Sequence, residues 1–293
     1  EIGSGLVGSE MCIRDRDMIL IADSGATKTD WLINDINKSE IIKTEGINPF
    51  HQDENYICRI IETDLLPQIE KENISEIYFY GAGCLPEPAE KIINILQDFF
   101  TGTKVHAYTD LMGAARALCG KKPGIACILG TGSNSCMYDG KEITKNVSPL
   151  GYILGDEGSG AYLGKKFIAD CLKGQLPENI KNDFLSNCGL TVEDILRKVY
   201  REPQANRFLA SLTPYIYNIK HEAQVKNFLC ECFTDFFERN VMKYDISLEI
   251  SFTGSVSWYF QDEIKETAKR LNLKTGKFIK EPIWGLKEFH NNQ

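Results

Sequence analysis

The chain contains one local pattern twice: an apolar strand enters a loop of Gly, Ser, Ala and Thr residues and leaves it as a second strand. The first copy begins at Met18 and the second at Gly124. An apolar run that stops at small residues is typical of a buried strand followed by a tight turn. Because these strand-hairpin units alternate with helical patterns, the sequence predicts an α/β protein with two related domains. The two halves are not alike enough to form a sequence repeat.

The predicted domains differ in length. Residues 18–122 hold three strands, then a helix, a strand, a helix, a strand and a helix. Residues 123–293 form the second domain, with a mostly helical insertion. A length of 293 residues suits two domains of ordinary size. Residues 1–17 lack the apolar middle of a signal peptide, and we expect a non-native or disordered extension ahead of a natural start at Met18.

Charge, hydropathy and cysteine usage argue against several classes of protein. The net charge of −8 disfavours nucleic-acid binding, which needs a basic surface. The longest aliphatic runs have about five residues, far fewer than the ~20 that span a bilayer. The ten cysteines include no C-x-x-C pair, so a zinc site and a disulfide framework are disfavoured. Reduced thiols are typical of a cytoplasmic protein.

The first small-residue loop has the composition of a phosphate-binding turn. Its Gly25 and Ala26 allow backbone N–H groups to approach phosphate oxygens closely. Thr27 and Thr29 add hydroxyl groups and Lys28 adds a positive charge, within the range 23–30. Asp23, at the end of the strand, is placed to hold Mg²⁺ through a water molecule. The spacing is not that of a P-loop, and an ordinary hairpin turn remains the alternative for this loop taken alone.

The second loop repeats this design between two further strands. Its residues Gly130, Thr131, Gly132 and Ser133 again combine small side chains with hydroxyl groups. A turn rich in Gly and Ser is common, so the second loop is also weak evidence by itself. Two such loops that face each other across a cleft can clamp a polyphosphate. The pair is therefore stronger evidence than either loop.

Three further segments carry candidate chemistry. Asp156 and Glu157 lie between glycines on a turn that opens a helix, where helix capping is the alternative interpretation. Asp110 follows a strand and opens a helix, so it is the best placed general base, and a helix-capping role is compatible with that function. Gly254 ends a later strand and allows a flat base or a ribose to approach the backbone.

The order of these motifs resembles the N-acetylglucosamine kinase and BadF/BadG/BcrA/BcrD ATPase family. The resemblance runs from Met18 to the C-terminus and implies two ribonuclease-H-like domains of the actin/hexokinase type, hinged around an ATP cleft. It rests on the segments 23–30, Thr109-Asp110, 130–134, 155–160 and 252–255. It implies phosphate contacts from Gly25, Thr27 and the 130–133 loop, adenosine near Gly254 and Ser255, sugar contacts from Asn48, Asn134 and Asp156, and Asp110 as the catalytic base.

The resemblance also implies an activity. The γ-phosphoryl group of ATP would pass, with Mg²⁺, to a hydroxyl of N-acetylglucosamine or a close amino sugar, and the 6-hydroxyl is the expected acceptor. Glu157 is predicted beside Asp156 as a further substrate contact. The expected partner is a small sugar, with neither nucleic acid nor membrane, and a homodimer is plausible from the family. The sequence does not determine which sugar is used.

Two other functions remain open at this stage. The first is an ATPase that activates a radical dehydratase or reductase through an iron–sulfur cluster shared by two subunits, for which Cys84 is the candidate ligand. One cysteine per subunit is a poor basis for a cluster held by two from each. The second is a non-catalytic sugar or nucleotide sensor on the same fold. Retention of Asp110, Asp156 and both phosphate loops argues against a sensor.

Overall fold

The computed structural model describes residues 18–25, 27–34 and 39–292, so the predictions for residues 1–17 and Ala26 lie outside it. The strands are β1 Met18–Ser24, β2 Lys28–Asn34, β3 Ser39–Glu45, β4 Ile74–Gly81, β5 Lys104–Thr109, β6 Gly124–Leu129, β7 Ser133–Tyr138, β8 Ile143–Asn146, β9 Ile250–Thr253 and β10 Thr275–Ile279. The α-helices are α1 Glu54–Ile60, α2 Pro86–Phe99, α3 Asp110–Cys119, α4 Gly151–Leu154, α5 Gly160–Leu172, α6 Glu178–Cys188, α7 Val192–Tyr200, α8 Ala205–Ala210, α9 Thr213–Asn218, α10 Ala223–Arg239, α11 Ser255–Tyr259, α12 Gln261–Arg270 and α13 Ile283–Asn291.

The first compact unit extends to Tyr108 and contains one five-stranded sheet in the order β3-β2-β1-β4-β5. Strands β1, β2 and β3 are antiparallel neighbours, whereas β1 and β4 run parallel. One face of the sheet packs against α1 and α2 through fully buried side chains such as Leu20, Trp31 and Phe79. The Trp31 indole N–H also donates to Thr44 Oγ1 at 3.0 Å, which satisfies the buried polar atom of this ring.

The long helix predicted after β3 changes its winding along its length. Its α-helical part begins after Asp53, whose side chain accepts a hydrogen bond from the Tyr56 N–H at 2.8 Å. A π-helical turn, Ile61–Leu65, follows, and the 3₁₀ turn Leu66–Gln68 ends the segment. Pro67 lacks the N–H that a continuing helix would need, which explains why the helix ends there.

The second compact unit begins at Thr109, and its sheet has the order β8-β7-β6-β9-β10. This is the arrangement of the first unit again: three antiparallel strands, then two strands added on the other side of the first, with β6 parallel to β9. The prediction of two related α/β domains is therefore confirmed. Between β8 and β9 lies the predicted helical insertion, whose α10 buries Phe228, Phe233 and Phe236 in the core.

Two features differ from the sequence prediction. Helix α3 packs on β6 and β7 through Leu111, Ala115 and Leu118, so the two units divide before this helix, whereas the predicted boundary lies after it. The final strand β10 and helix α13 were not predicted. The five residues of β10 show no alternation of apolar and polar side chains that would mark a strand. Within the described residues, no helix combines the length and apolar character that crossing a bilayer requires. The nine described cysteines form no disulfide with one another.

Candidate active site

The base of the first loop is closed by hydroxyl groups. Ser24 and Thr29 are partners in the β1–β2 register, and their hydroxyl oxygens lie 2.6 Å apart. Ser24 Oγ donates to the Ile47 carbonyl at 2.8 Å, and Thr29 Oγ1 donates to the Glu45 carbonyl at 3.1 Å. Both side chains are fully buried. These bonds tie the loop to the segment that carries Asn48.

The tip of the same loop faces outward. Gly25, Thr27 and Lys28 are exposed, and the Gly25 N–H donates back to the Lys28 carbonyl at 3.0 Å. These exposed residues are accessible to a ligand, whereas the Thr29 hydroxyl is occupied inside the protein. The geometry therefore favours a scaffolding role for Thr29, and its predicted phosphate contact stays a prediction.

The Asp23 carboxylate, which the sequence predicts to hold Mg²⁺ through water, lies at the base of this loop. Asp23 is partly exposed and pairs in register with Asp30 on β2. Among the described residues, no cluster of three or more His, Cys, Asp or Glu side chains could hold a metal directly. A partly exposed carboxylate suits Mg²⁺ that keeps most of its water and is held mainly by substrate phosphates. The residues present thus fit the predicted kind of site.

The second loop is bonded to the start of α5. The Gly160 N–H donates to the Gly130 carbonyl at 2.8 Å, and the Ala161 N–H donates to the Thr131 carbonyl at 3.0 Å. Thr131 is exposed, whereas Ser133 is buried. The loops 130–133 and 155–160, which are separate in sequence, therefore form one structure at the carboxyl end of β6.

Asp156 lies directly against the second loop. Its Oδ1 accepts a hydrogen bond from the Ser133 N–H at 3.3 Å, and a Cβ on Gly132 would lie only 3.0 Å from Oδ2. The backbone of Asp156 has φ 54°, a left-handed conformation that costs free energy for a residue with a side chain. Burial raises the pKa of Asp156, while the Ser133 N–H opposes that rise. The strained turn holds a nearly buried carboxylate at the predicted phosphate loop.

The other predicted sugar contacts have different surroundings. Glu157 is nearly buried, and its carboxylate accepts from Asn240 Nδ2 at 3.3 Å and lies 3.6 Å from the Arg239 guanidinium. These contacts tie the turn to the end of α10, so the geometry favours a structural role for Glu157. Asn134 is partly exposed, and its Oδ1 accepts from the Ser135 N–H and from Asn146 Nδ2. It remains accessible for the predicted substrate contact.

Asn48 is held in the first unit by its backbone neighbours. Its Oδ1 accepts from the Phe50 N–H at 3.1 Å, and its own N–H donates to Gln52 Oε1 at 2.8 Å. Gly83 has φ 79°, and a Cβ there would lie 2.3 Å from Asn48 Oδ1. A side chain at position 83 would therefore displace Asn48. The next residue, Cys84, is only 4% exposed, which is unfavourable for a cluster ligand shared between subunits.

Asp110 begins α3 but does not cap it. The cap is Thr109, whose hydroxyl accepts from the Met112 N–H at 3.2 Å. Asp110 Oδ1 accepts from the Leu111 N–H at 2.9 Å. The residue keeps some accessible surface, yet dense packing around the carboxyl group raises its pKa, and the backbone N–H groups only partly oppose this. A carboxylate with a raised pKa is suited to accept a proton.

A cavity opens where β9 meets α11. Gly254 has φ 106°, and a Cβ there would lie 2.5 Å from the Leu129 carbonyl oxygen, so only glycine fits this turn. The adjoining cavity of about 340 Å³ is lined by Ser255 and by two tyrosines that the sequence prediction missed, Tyr217 and Tyr259. The rings of these tyrosines are 5.6 Å apart, edge to face. No local motif marks Tyr217, because it comes from α9, far from residue 254 in sequence.

The chain is similar to solved structures over nearly its whole length. A protein of Porphyromonas gingivalis named "Putative N-acetylglucosamine Kinase" is 46% identical, with 94% of this chain and 99% of that chain covered and a TM-score of 0.91. A protein of Chromobacterium violaceum with the same name is 16% identical, with 93% and 98% covered and a TM-score of 0.71. MreB5 of Spiroplasma citri bound to ADP is 10% identical, with 94% and 96% covered and a TM-score of 0.56.

These matches differ in what they show. At 16% and 10% identity, the second and third structures show the shared actin-like fold alone. No protein-family profile matches the chain, and no curated protein matches it. The first structure is similar enough to show kinship: with 46% identity across almost all of both chains, the protein belongs to the same family as this "Putative N-acetylglucosamine Kinase".

Proposed function

We propose that this protein is an ATP-dependent sugar kinase that phosphorylates N-acetylglucosamine or a related amino sugar, with the 6-hydroxyl as acceptor. The observation that carries the proposal is Asp110. Thr109 supplies the helix cap, and burial raises the pKa of the Asp110 carboxyl group. Its carboxylate is thereby suited to take the proton of a sugar hydroxyl as that oxygen attacks phosphorus.

The remaining site residues support binding and orientation. The exposed tip at Gly25, Thr27 and Lys28 and the loop 130–133 are proposed to contact the ATP phosphates, because their small residues allow the backbone to approach closely and Thr27 and Thr131 carry exposed hydroxyl groups. The cavity beside Gly254 and Ser255 is proposed for the adenosine. Mg²⁺, held near Asp23 through water, supplies charge neutralisation on the phosphates when bound. Positioning of the two substrates accounts for most of the expected rate enhancement.

The sugar subsite is proposed from three residues. Asn48 and Asn134 offer amide groups, and Asp156 offers a carboxylate held at the second loop. Sugar hydroxyl groups can donate to the carboxylate and exchange donors and acceptors with the amides. We further propose that the protein works in the reducing cytoplasm on this small molecule, as a homodimer without nucleic-acid or membrane partners. Sedimentation equilibrium of the purified chain tests the dimer.

A coupled assay of ADP release tests the kinase function. The sugars are N-acetylglucosamine, glucosamine, N-acetylmannosamine and glucose, with a reaction without sugar as the control. We expect sugar-dependent ADP release that is fastest with an amino sugar and requires Mg²⁺. Equal release with and without every sugar would reject the kinase proposal. Iron analysis of protein purified without oxygen tests the dehydratase-activating alternative in the same preparation.

A further inference from the structure

Strand β2, which follows the first loop, carries an ion pair between Lys28 and Asp30. Lys28 and Asp30 are two residues apart on β2, so their side chains lie on the same face of the sheet. Lys28 Nζ donates to Asp30 Oδ2 at 2.7 Å. Asp23, across the register from Asp30, has its side chain on this same face. The pair therefore lies at the base of the exposed loop tip.

The two members of the pair are buried to very different extents. The Lys28 side chain is 47% exposed and the Asp30 side chain only 3%. The other oxygen of this carboxylate, Oδ1, is buried and has no hydrogen-bond partner. A nearly buried carboxylate with one oxygen unsatisfied costs free energy, and such a group needs a cation beside it. Lys28 supplies that cation, and nearly half of its side-chain surface stays accessible to a ligand.

We propose that Asp30 is a positioning residue that holds the ammonium group of Lys28 at the nucleotide phosphates. This inference rests on the proposed kinase function, because it assigns Lys28 to the phosphoryl group of ATP. A lysine side chain has about 2 kcal/mol of rotamer entropy, and a fixed ammonium group does not have to be ordered again during each turnover. Asp30 thus acts through Lys28 and touches no substrate itself.

The negative charge of Asp30 determines the direction in which nucleotide affinity should change when that charge is removed. A carboxylate near nucleotide phosphates repels them, so its neutralisation cannot weaken nucleotide binding through charge. If Asp30 positions Lys28, then Asp30→Asn lowers turnover while ADP binding stays the same or becomes tighter. A residue that only stabilises the fold would instead lose turnover, affinity and thermal stability together.

The experiment combines Asp30→Asn, Lys28→Met and the double variant. ADP affinity is measured by calorimetry in Mg²⁺, turnover by the coupled assay, and stability by thermal unfolding. For Asp30→Asn we expect kcat to fall about tenfold, with ADP affinity unchanged or up to about threefold tighter. For Lys28→Met we expect ADP affinity to fall about tenfold and kcat to fall as well. The double variant should have the kcat of Lys28→Met, since Asp30 has no lysine left to position.

Two matched controls come from the same unit. Lys43 lies directly across β3 from Asp30 and is exposed, so Lys43→Met removes the same charge from the same face. Asp98 is exposed on α2, so Asp98→Asn removes one carboxylate away from the loop. Both controls should keep kcat and ADP affinity within twofold of the parent. The longer Asp30→Glu variant keeps the charge, and it should lose kcat without losing ADP affinity even if Asp30→Asn folds poorly.

The outcomes separate this inference from the kinase proposal. An unchanged kcat in Asp30→Asn, or parallel losses of kcat, ADP affinity and melting temperature, would overturn the positioning role. If no sugar supports turnover in the parent, the kinase proposal fails by itself. The ADP measurements still test the pair then: Lys28→Met should weaken ADP binding while Asp30→Asn does not, and an equal loss of ADP affinity in both variants would overturn the positioning role.

Discussion

Asp110 and Asp156 are both carboxylates whose pKa is raised by burial, but they have different neighbours. For Asp110, backbone N–H groups at the start of α3 partly oppose the rise in pKa. For Asp156, the nearby Glu157 carboxylate raises the pKa further. Asp156 lies in a strained turn against the loop 130–133, and Asp110 lies on the first turn of a helix. These surroundings support proton transfer for Asp110 and substrate binding for Asp156.

The variant Asp110→Asn tests the proposed base. Its amide oxygen can still accept from the Leu111 N–H, so the helix start should be preserved. We expect kcat to fall by about 10²–10⁴-fold, because the amide cannot take a proton, while ADP affinity stays within about twofold. Asp262→Asn is the matched control, since Asp262 also lies in the first turn of a helix of this unit. Near-normal turnover in Asp110→Asn would remove Asp110 from the mechanism.

The pKa of Asp110 also predicts how stability depends on pH. Because its pKa in the folded state is raised above the ordinary value of 3.8, the folded state binds more protons than the unfolded state between those two values. The free energy of unfolding therefore falls as pH rises through this window, and the cost persists at neutral pH. Asp110→Asn should raise the melting temperature at pH 7 and have little effect at pH 3. A variant that is less stable at pH 7 would contradict the direction of this shift.

At the scale of elements, the turn between β9 and α11 has a strict steric requirement. Gly254 combines a positive φ with a close approach to a backbone carbonyl, so no side chain there can be accommodated by a rotamer change. The same turn borders the cavity proposed for the adenosine. Its geometry therefore links the stability of the second unit to nucleotide binding.

Gly254→Ala should separate steric clash from backbone strain. We expect a loss of about 3 kcal/mol or more in the free energy of unfolding, since a Cβ would lie 2.5 Å from the Leu129 carbonyl oxygen. Gly174 is the control: it has φ 70°, but a Cβ there would meet nothing within 4 Å. Gly174→Ala should cost only about 1–2 kcal/mol, the strain of a left-handed residue. If chemical denaturation gives the same loss of unfolding free energy for both variants, the clash at position 254 is relieved by a local shift.

At the scale of the whole molecule, each unit has its own sheet and its own buried core. Asn48 and the first loop belong to the first unit, and Asp110, Asp156 and Gly254 belong to the second. Ligands that bind only the folded chain stabilise it by mass action. Thermal stability is therefore a measure of binding that does not depend on turnover.

We predict that ADP with Mg²⁺ raises the melting temperature and that N-acetylglucosamine raises it further. A ligand at 100 times its Kd contributes about 2.7 kcal/mol. Asp110→Asn should keep the shift with ADP, because its binding groups are intact. Gly254→Ala, where it folds, should lose that shift and keep the one with the sugar. Identical ligand shifts in these two variants would argue against the cavity at Gly254 as the nucleotide site.

Local patterns were sufficient for most elements of the fold. Apolar runs that end in small residues, as at Met18 and Gly124, predict strands because the signal lies within five or six neighbouring positions. The two small-residue loops and the helix that Asp110 opens were predicted for the same reason. Strand β10 was missed because its five residues show no alternation of apolar and polar side chains.

The sequence alone therefore determined the two related α/β halves and the chemical types present in each loop. Only the tertiary structure decided which polar groups are still accessible. The Thr29 hydroxyl contacts the Ser24 hydroxyl, and the Glu157 carboxylate accepts a hydrogen bond from Asn240. The cap of α3 is Thr109, so the Asp110 carboxylate does not serve as the cap. The tertiary structure also brought Tyr217 beside Gly254 and buried Asp30 next to Lys28. The physical reason is that strands and turns follow from neighbouring residues, whereas burial and hydrogen-bond partners depend on segments far apart in the chain that meet only after folding.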